Sequence, residues 1–306
     1  MQGLTNNPDK LKKQFRYIAW AVFRTLLITG MVFIILYPLI YMASVSLRPT
    51  RELFDPSIVW IPKTFTLEHF RDAIKGMSLS ASFGDANPLY NTLTLDIISA
   101  VLQTVCAASV GYGFARFRFR GRGPLFALVI LSMIVPVNSL VIPMYGNYVR
   151  LGLVNSSLSL YVPALLGLGI RAGLCIYIFR QFFRNMPREL EDAAAIDGCG
   201  FIKTFYRIFV PNASPALLTV FIFTFVWYWN DFYYSRMFMS TKTTISVALS
   251  ELASVLNVTS ELGRDPYRTL AIMKAGCLIA MLPLLLIYIV LQKYFTESIE
   301  RTGIVG

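Results

Sequence analysis

Charge is scarce in this chain and histidine is almost absent: Asp, Glu, Lys and Arg make up 15% of 306 residues, and His69 is the single histidine. An ordinary soluble domain carries about a quarter charged residues, whereas here 56% of the chain is hydrophobic, so the apolar excess must face lipid. One histidine excludes a His-rich metal site. Cys106, Cys175, Cys199 and Cys277 are scattered, with neither paired nor metal-ligand spacing, which excludes a disulfide framework and a zinc site. No Gly-x-x-x-x-Gly-Lys-Ser/Thr loop occurs, so the chain has no ATP site of its own. Gly111-Tyr112-Gly113 lacks the later glycine and the strand context of a dinucleotide fingerprint and reads as helix packing. No catalytic residue, metal site or resident cofactor is expected, and no short-period repeat divides the chain.

What is present is apolar length. A hydrocarbon core of about 30 Å takes roughly 20 apolar residues of helix, and six stretches qualify: 17–46, 91–114, 125–148, 160–179, 214–237 and 269–294. The first is too long for a signal-peptide core and no small-residue cleavage site follows it, so it reads as an uncleaved anchor, with Arg24 snorkelling to the inner interface. The expected fold is an all-α membrane protein with six transmembrane helices. A basic tail, 1–16, precedes a membrane domain, 17–294, and a second tail, 295–306, closes the chain.

The net charge of +11 follows this pattern. The segments assigned inside carry fifteen Lys and Arg against seven acids, and those assigned outside carry nine against eight. Orientation follows the Lys and Arg bias of short loops, so both termini are expected in the cytoplasm. The same placement argues against nucleic acid, because the basic residues sit at membrane turns and not on a soluble domain. The tract Arg116, Arg118, Arg120, Arg122 has two readings, a phosphate-binding tract or a topology determinant, and the second is simpler.

Between the fourth and fifth spans lies residues 187–211, PRELEDAAAIDGCGFIKTFYRIFVP. Asn185 as a cap, Pro187 in a first turn, slim Ala193 to Ala195 and a stop at Asp197-Gly198 predict a short helix and a glycine turn. A second helix follows from Phe201 until Pro211 breaks it. Small residues there let a partner backbone come close.

The spacing Asp192-Ala193-Ala194, three residues, Gly198, nine residues, Ile208-Phe209-Val210-Pro211 resembles the cytoplasmic EAA loop of ATP-binding-cassette (ABC) importer permeases. Asp192 stands in the place of the usual Glu and Val210 in that of the usual Leu. Asn91-Thr92-Leu93, GYGFARFRFRGR (111–122), the proline-rich third span, RQFFRNMPREL (180–190) and Trp229-Asn230-Asp231-Phe232 are similar to the sugar-importing, MalG-like branch. The resemblance implies a type I importer permease (MetI-like) fold. It implies pairing with a second, homologous permease, an ATPase dimer inside that holds ATP and Mg, and an extracytoplasmic solute-binding protein that delivers a sugar. It gives Asp192, Ala193, Ala194, Asp197, Gly198, Ile208 and Pro211 the role of coupling to the ATPase, and it suggests that the tail near Arg301 and Gly303 reaches that interface.

Charges and kinks inside spans mark candidates for a translocation path. Asp96 and Arg171 fall within the second and fourth spans, and Pro136 and Pro143 interrupt the third, where their kinks are expected to face the bundle. Trp229, Asn230 and Asp231 end the fifth. Arg171 either attracts an acidic sugar or neutralises Asp96, and the second is favoured because buried charges find protein partners. Trp227, Tyr228 and Trp229 either stack on sugar rings or form an interfacial belt. Gly169-x-x-x-Gly173 permits close helix packing. The external segment 47–90 holds a helical stretch from Thr66, a possible cap, to Gly76, a possible stop. It is expected as a solvated connection in preference to a docking lid. An ABC permease for another solute, a polyamine, phosphate or glycerol-phosphate-like one, and a secondary transporter without ATP remain the alternatives.

Overall fold

The computed structural model describes residues 8–57, 60–82, 84–259 and 265–303, and every regular element among them is helical. Residues 1–7, 58–59, 83, 260–264 and 304–306, which include parts of both tails and of both outer segments, lie outside the described residues.

Helix α1 (Pro8–Ser46) is followed by the outer helix α2 (Glu68–Gly76) and then by α3 (Pro88–Arg116), around which the rest is built. Asn87 starts α3 by accepting the backbone N–H groups of Leu89 and Tyr90 at 3.0 and 3.3 Å, with Pro88 in the first turn. Next come α4 (Arg122–Ile134), α5 (Val137–Arg150), α6 (Leu158–Leu165) and α7 (Ala172–Asn185). The hairpin after α7 holds α8 (Glu189–Ile196), α9 (Phe201–Thr204), a π-helical turn Phe205–Phe209 and α10 (Val210–Asn212). The chain ends through α11 (Ser214–Trp229), α12 (Tyr233–Phe238), α13 (Ile245–Thr259) and α14 (Pro266–Gly303).

Helix α3 packs against α6, α7, α11 and α13. Its fit to α7 depends on Gly111: a Cβ there would lie 2.6 Å from the Phe179 Cβ and 3.0 Å from the Arg180 backbone nitrogen. Gly173 does the same for α7 against α4, since a Cβ would meet the Ser132 hydroxyl at 2.5 Å. Gly169, in contrast, lies in the turn before α7, so the two glycines are not on one helix face as the four-residue spacing suggested.

Three helices, α1, α3 and α14, are long and apolar enough to cross a membrane, or up to five spans exist among the described residues if each bent pair counts as one. The expected third, fourth and fifth stretches are not single rods. The third divides before Pro136 into α4 and α5, bent by 110°; the fourth divides at 166–171 into α6 and α7; the fifth stops at Trp229 and resumes as α12. Proline and positive-φ residues explain the first two breaks. Val135 and Pro136 are extended, and Gly167 and Arg171 have φ of +72° and +53°. A further bend of 78° separates Phe201–Asn212 from α11, where Pro211 was expected to break the chain.

Pro136 and Pro143 lie on the exposed surface of the subunit and not against its own bundle, which corrects the expectation for both. The reason is the roll of α5, which turns Val141 and Tyr148 inward, with the Tyr148 ring 4.5 Å from that of Phe238 on α12, and so leaves Pro143 outside.

Helix α2 is no solvated connection. It packs on α13 and α14 through Ala73, Met77, Leu252, Leu256 and Ile272, and Arg268 of α14 bonds to Glu68 at 2.5 Å and Asp72 at 3.1 Å. The Thr66 hydroxyl does accept the Glu68 N–H at 3.2 Å. The helix ends at Gly76 as expected, and the same glycine also serves packing, because a Cβ there would meet Leu252 at 2.5 Å. The last helix runs unbroken to Gly303, through the segment read as a separate tail.

Candidate functional site

The hairpin after α7 follows from local chemistry. Asn185 does not cap it; Asn185 is the last residue of α7, and Arg188 precedes α8 without a side-chain cap bond. Glu189, Glu191 and Asp192 fill the first turn of α8, where negative charge complements the helix dipole. The other end is a Schellman closure. Gly198 sits at φ +69°, its N–H reaches the Ala195 carbonyl at 3.1 Å, and the Cys199 N–H reaches the Ala194 carbonyl at 2.8 Å. Nothing lies within 4 Å of a Cβ placed on Gly198, so within this subunit its requirement is conformational and not steric.

One face of the hairpin is buried and one is bare. Ala194, Phe205 and Phe209 are buried and Ile208 is half-buried, the last three packing into a cluster with Tyr112, Phe179 and Phe183. Asp192, Ala193, Asp197, Gly198 and Pro211 are exposed. So are three large apolar side chains, Ile196, Phe201 and Ile202, at 86%, 73% and 76% of their full area. An apolar tip this open marks a docking surface.

A residue that the spacing did not single out ties the hairpin to the membrane domain. Arg116, the last residue of α3, donates to the Met186 carbonyl at 2.7 Å, lies 3.3 Å from a Glu191 carboxylate oxygen and stacks 4.9 Å from the Phe209 ring centre. One guanidinium thus holds the entry, the first helix and the second arm. Its place at the end of a predicted span was the available signal, and that position also suits a mere topology determinant.

The translocation-path candidates separate into three groups. Asp96 is buried, 2% exposed, on a polar stripe of α3 with Asn91, Thr92, Ser99, Gln103 and Thr104. The expected Asp96–Arg171 pair does not form. Arg171 stands at the exposed break before α7, with its guanidinium 5.1 Å from the Trp227 ring centre, because the break turns it away from α3. Trp229, Asn230 and Asp231 form a structural joint: Trp229 donates its indole N–H to the Ala280 carbonyl at 3.1 Å, Asn230 bonds back to Val226 at 2.8 Å, and Asp231 caps α12 by accepting the Tyr234 and Ser235 N–H groups at 3.2 and 2.8 Å. Tyr228 is buried with its hydroxyl on Gln103 at 2.9 Å, and Gln103 donates in turn to the Ile170 carbonyl at 2.7 Å, holding the break. Of the aromatic trio only Trp227 stays partly open. Asn91 and Thr92 likewise join α3 to α13, Asn91 donating to the Thr243 carbonyl at 3.0 Å and Thr92 accepting the Ile245 N–H at 2.8 Å.

Residues 88–301, from the first residue of α3 into the last turn of α14, match the family described as binding-protein-dependent transport system inner membrane component. The chain belongs to that family. It is a multi-pass membrane permease subunit of an importer, a transport component and not an enzyme. Among the permease's relatives, the arabinooligosaccharide transport permease AraQ of Halalkalibacterium halodurans is 29% identical over 90% of this chain and 92% of that protein. The trehalose transport permease SugB of Mycobacterium tuberculosis is 28% identical over 94% and 97%. A solved bacterial ABC transporter for import of the acidic polysaccharide alginate contains a chain of the same fold, with TM-score 0.74 and 20% identity over 96% of this permease and 100% of that chain.

Proposed function

We propose that the permease is one of two homologous membrane subunits of an ATP-driven importer that takes up a sugar or oligosaccharide handed over by an extracytoplasmic binding protein. The chain then crosses the membrane six times, with the broken helices counted as spans and both termini inside. An ATPase dimer docks on the hairpin 187–211, and its closure on ATP shifts the spans between outward and inward states. Asp192, Ala193, Ala194, Asp197 and Gly198 shape the docking helix and turn, while Ile208 and Pro211 set the angle of the second arm. The observation that carries the mechanism is the Schellman-closed hairpin whose apolar tip is bare while its base is locked to α3 by Arg116. The sugar class rests on relatives along nine-tenths of the chain or more whose names give oligosaccharide cargo.

The test is to purify the tagged chain gently from its native membrane and identify by mass what accompanies it. Recovery of a second permease and an ATPase supports this reading. Recovery of the chain alone, still moving solute in vesicles without ATP, removes it in favour of a secondary transporter.

A second reading keeps the class and changes the cargo to an acidic sugar. Arg171 favours it, for an arginine exposed at a break inside the membrane is costly against lipid and belongs at a subunit interface or water-filled path. Trp227 beside it offers a ring face to a sugar. Uptake of neutral and acidic sugars, unchanged in an Arg171→Gln importer, would dismiss this reading.

A further inference from the structure

A cleft of about 690 Å³ opens at the cytoplasmic surface between the turn after α3, the start of α4, the end of α7 and the helix α8. Arg116, Arg118, Arg122, Arg180, Arg184 and Arg188 line it, faced by only two acids, Glu191 and Asp192. Arg116 already holds Glu191. Arg122 is spent on the carbonyls of Phe117 and Ala115, at 3.2 and 3.4 Å. Arg180 lies flat on Phe126, 3.8 Å from the ring centre, with its Nε shielded from solvent and without a hydrogen-bond partner. The side chains of Arg118, Arg184 and Arg188 have no hydrogen-bond or ion-pair partner among the described residues. Convergence of this kind is not what a topology determinant needs. Arg120 from the same tract is exposed and does not line the cleft, and that is how a charge retained only for orientation would sit.

Six guanidinium groups around one concavity leave a site short of negative charge, and the group whose shape answers several planar donors is a phosphate. Its depth selects the source. The cleft is walled by the first turn of α4, which goes on to expose Leu125, Leu128 and Leu131 on the lipid-length part of the helix. We propose that this cleft binds the phosphate headgroup of an anionic phospholipid at the cytoplasmic leaflet. The bound phosphate ties Arg184 and Arg188, which flank the entry to the coupling hairpin, to Arg118 of the α3–α4 turn, and so steadies the hairpin in its coupled position. The last step rests on the coupling role proposed above; the binding site does not.

The importer, purified with its partners, is placed in nanodiscs of phosphatidylcholine alone or mixed with phosphatidylglycerol, and two quantities are read: phosphatidylglycerol retained per complex by native mass spectrometry, and cargo-stimulated ATPase. The variants are R118Q/R184Q/R188Q and R118K/R184K/R188K, the second keeping the positive-inside signal. Since each basic residue near an anionic surface is worth about fivefold in binding, retention is expected to fall about a hundredfold in the Gln variant and far less in the Lys variant. Coupled ATPase should require phosphatidylglycerol in the wild type and lose that dependence in the Gln variant. Equal retention by wild type and Gln variant overturns the site. Retention without any ATPase response overturns only the link to the hairpin. Inorganic phosphate that replaces phosphatidylglycerol in phosphatidylcholine discs overturns the lipid source. Failure of the Gln variant to assemble, with no phosphatidylglycerol held by the wild type, assigns the cleft to an acidic partner surface instead.

Discussion

The two ends of the molecule handle charge in opposite ways. At the outer end the ion pairs close within the chain: Lys63 with Asp55, Lys242 with Asp85, Arg236 with Glu251, and Arg268 with both Glu68 and Asp72. His69 is buried beneath them with Nε2 2.9 Å from the Arg48 carbonyl, and α2 is sealed on α13 and α14. At the inner end a single ion pair, Arg116 with Glu191, stands among the described residues, and beside it are arginines without acids and apolar side chains without cover. Apolar side chains are bare at both ends, Ile61, Phe65 and Leu67 at one and Ile196, Phe201 and Ile202 at the other, so it is the arginines without acids that mark the inner end for completion by something outside the chain. Both ends are helical and both lie next to the membrane, so the contrast comes from the pairing of residues and not from the kind of structure.

The strongest way to break the inner end is at Gly198. An L-residue held at φ +69° costs about 1–2 kcal/mol, and a β-branched one more, so Gly198→Val should misdirect the tip and lower cargo-stimulated ATPase by about tenfold or more. The membrane domain should still purify at normal yield, since nothing in the subunit touches that position. Normal coupled transport in this variant would show that the left-handed turn is dispensable.

Arg116→Ala comes next. It leaves the Met186 carbonyl and the Glu191 carboxylate without their partner, a loss of about 2–3 kcal/mol for a charged hydrogen bond in a largely enclosed site. Unfolding followed by thiol labelling at Cys199, in the glycine turn, should show the hairpin opening at lower temperature than the outer end. If both ends soften together, the lock is not local.

The smallest effect belongs to the outer end. Burial holds the His69 imidazole below its usual range, partly opposed by the Arg48 carbonyl and by Glu68 and Asp72, and reinforced by the Arg268 cation. The folded form therefore binds fewer protons than the unfolded form, so His69 contributes stability that is complete above about pH 6.5 and is lost as pH falls toward the lower folded-state value. Hydrogen exchange in α2 should rise on acidification through that range, and His69→Gln should flatten the response. Exchange that rises equally in the variant would place the dependence on Glu68 and Asp72 instead.

Much of this was legible in the residues themselves. The helical class, the apolar stretches, the stop at Gly198 and the break at Pro211 follow from local rules that act over a few residues. Other features depended on groups far apart in the chain. Arg116 is one of four similar arginines, and only its approach to Met186, Glu191 and Phe209 separates it from Arg120. Asp96 and Arg171 are both charges within apolar stretches, and their expected pairing failed because the chain breaks between α6 and α7, where Gln103 and Tyr228 of other helices hold Ile170. Trp229, Asn230 and Asp231 are path candidates by position, and what the fold adds is a joint between α11, α12 and α14, since the hydrogen bonds of Trp229 and Asp231 run to Ala280, Tyr234 and Ser235.

By itself, then, the sequence determined that this is a helical membrane chain, where the hairpin after α7 lies and how that hairpin turns, because hydropathy, caps and φ preferences are set by neighbours along the chain. Tertiary structure alone decided which spans are broken, which charges stay open and which end is left for a partner, because those depend on the distance between side chains that the fold brings together from separate helices.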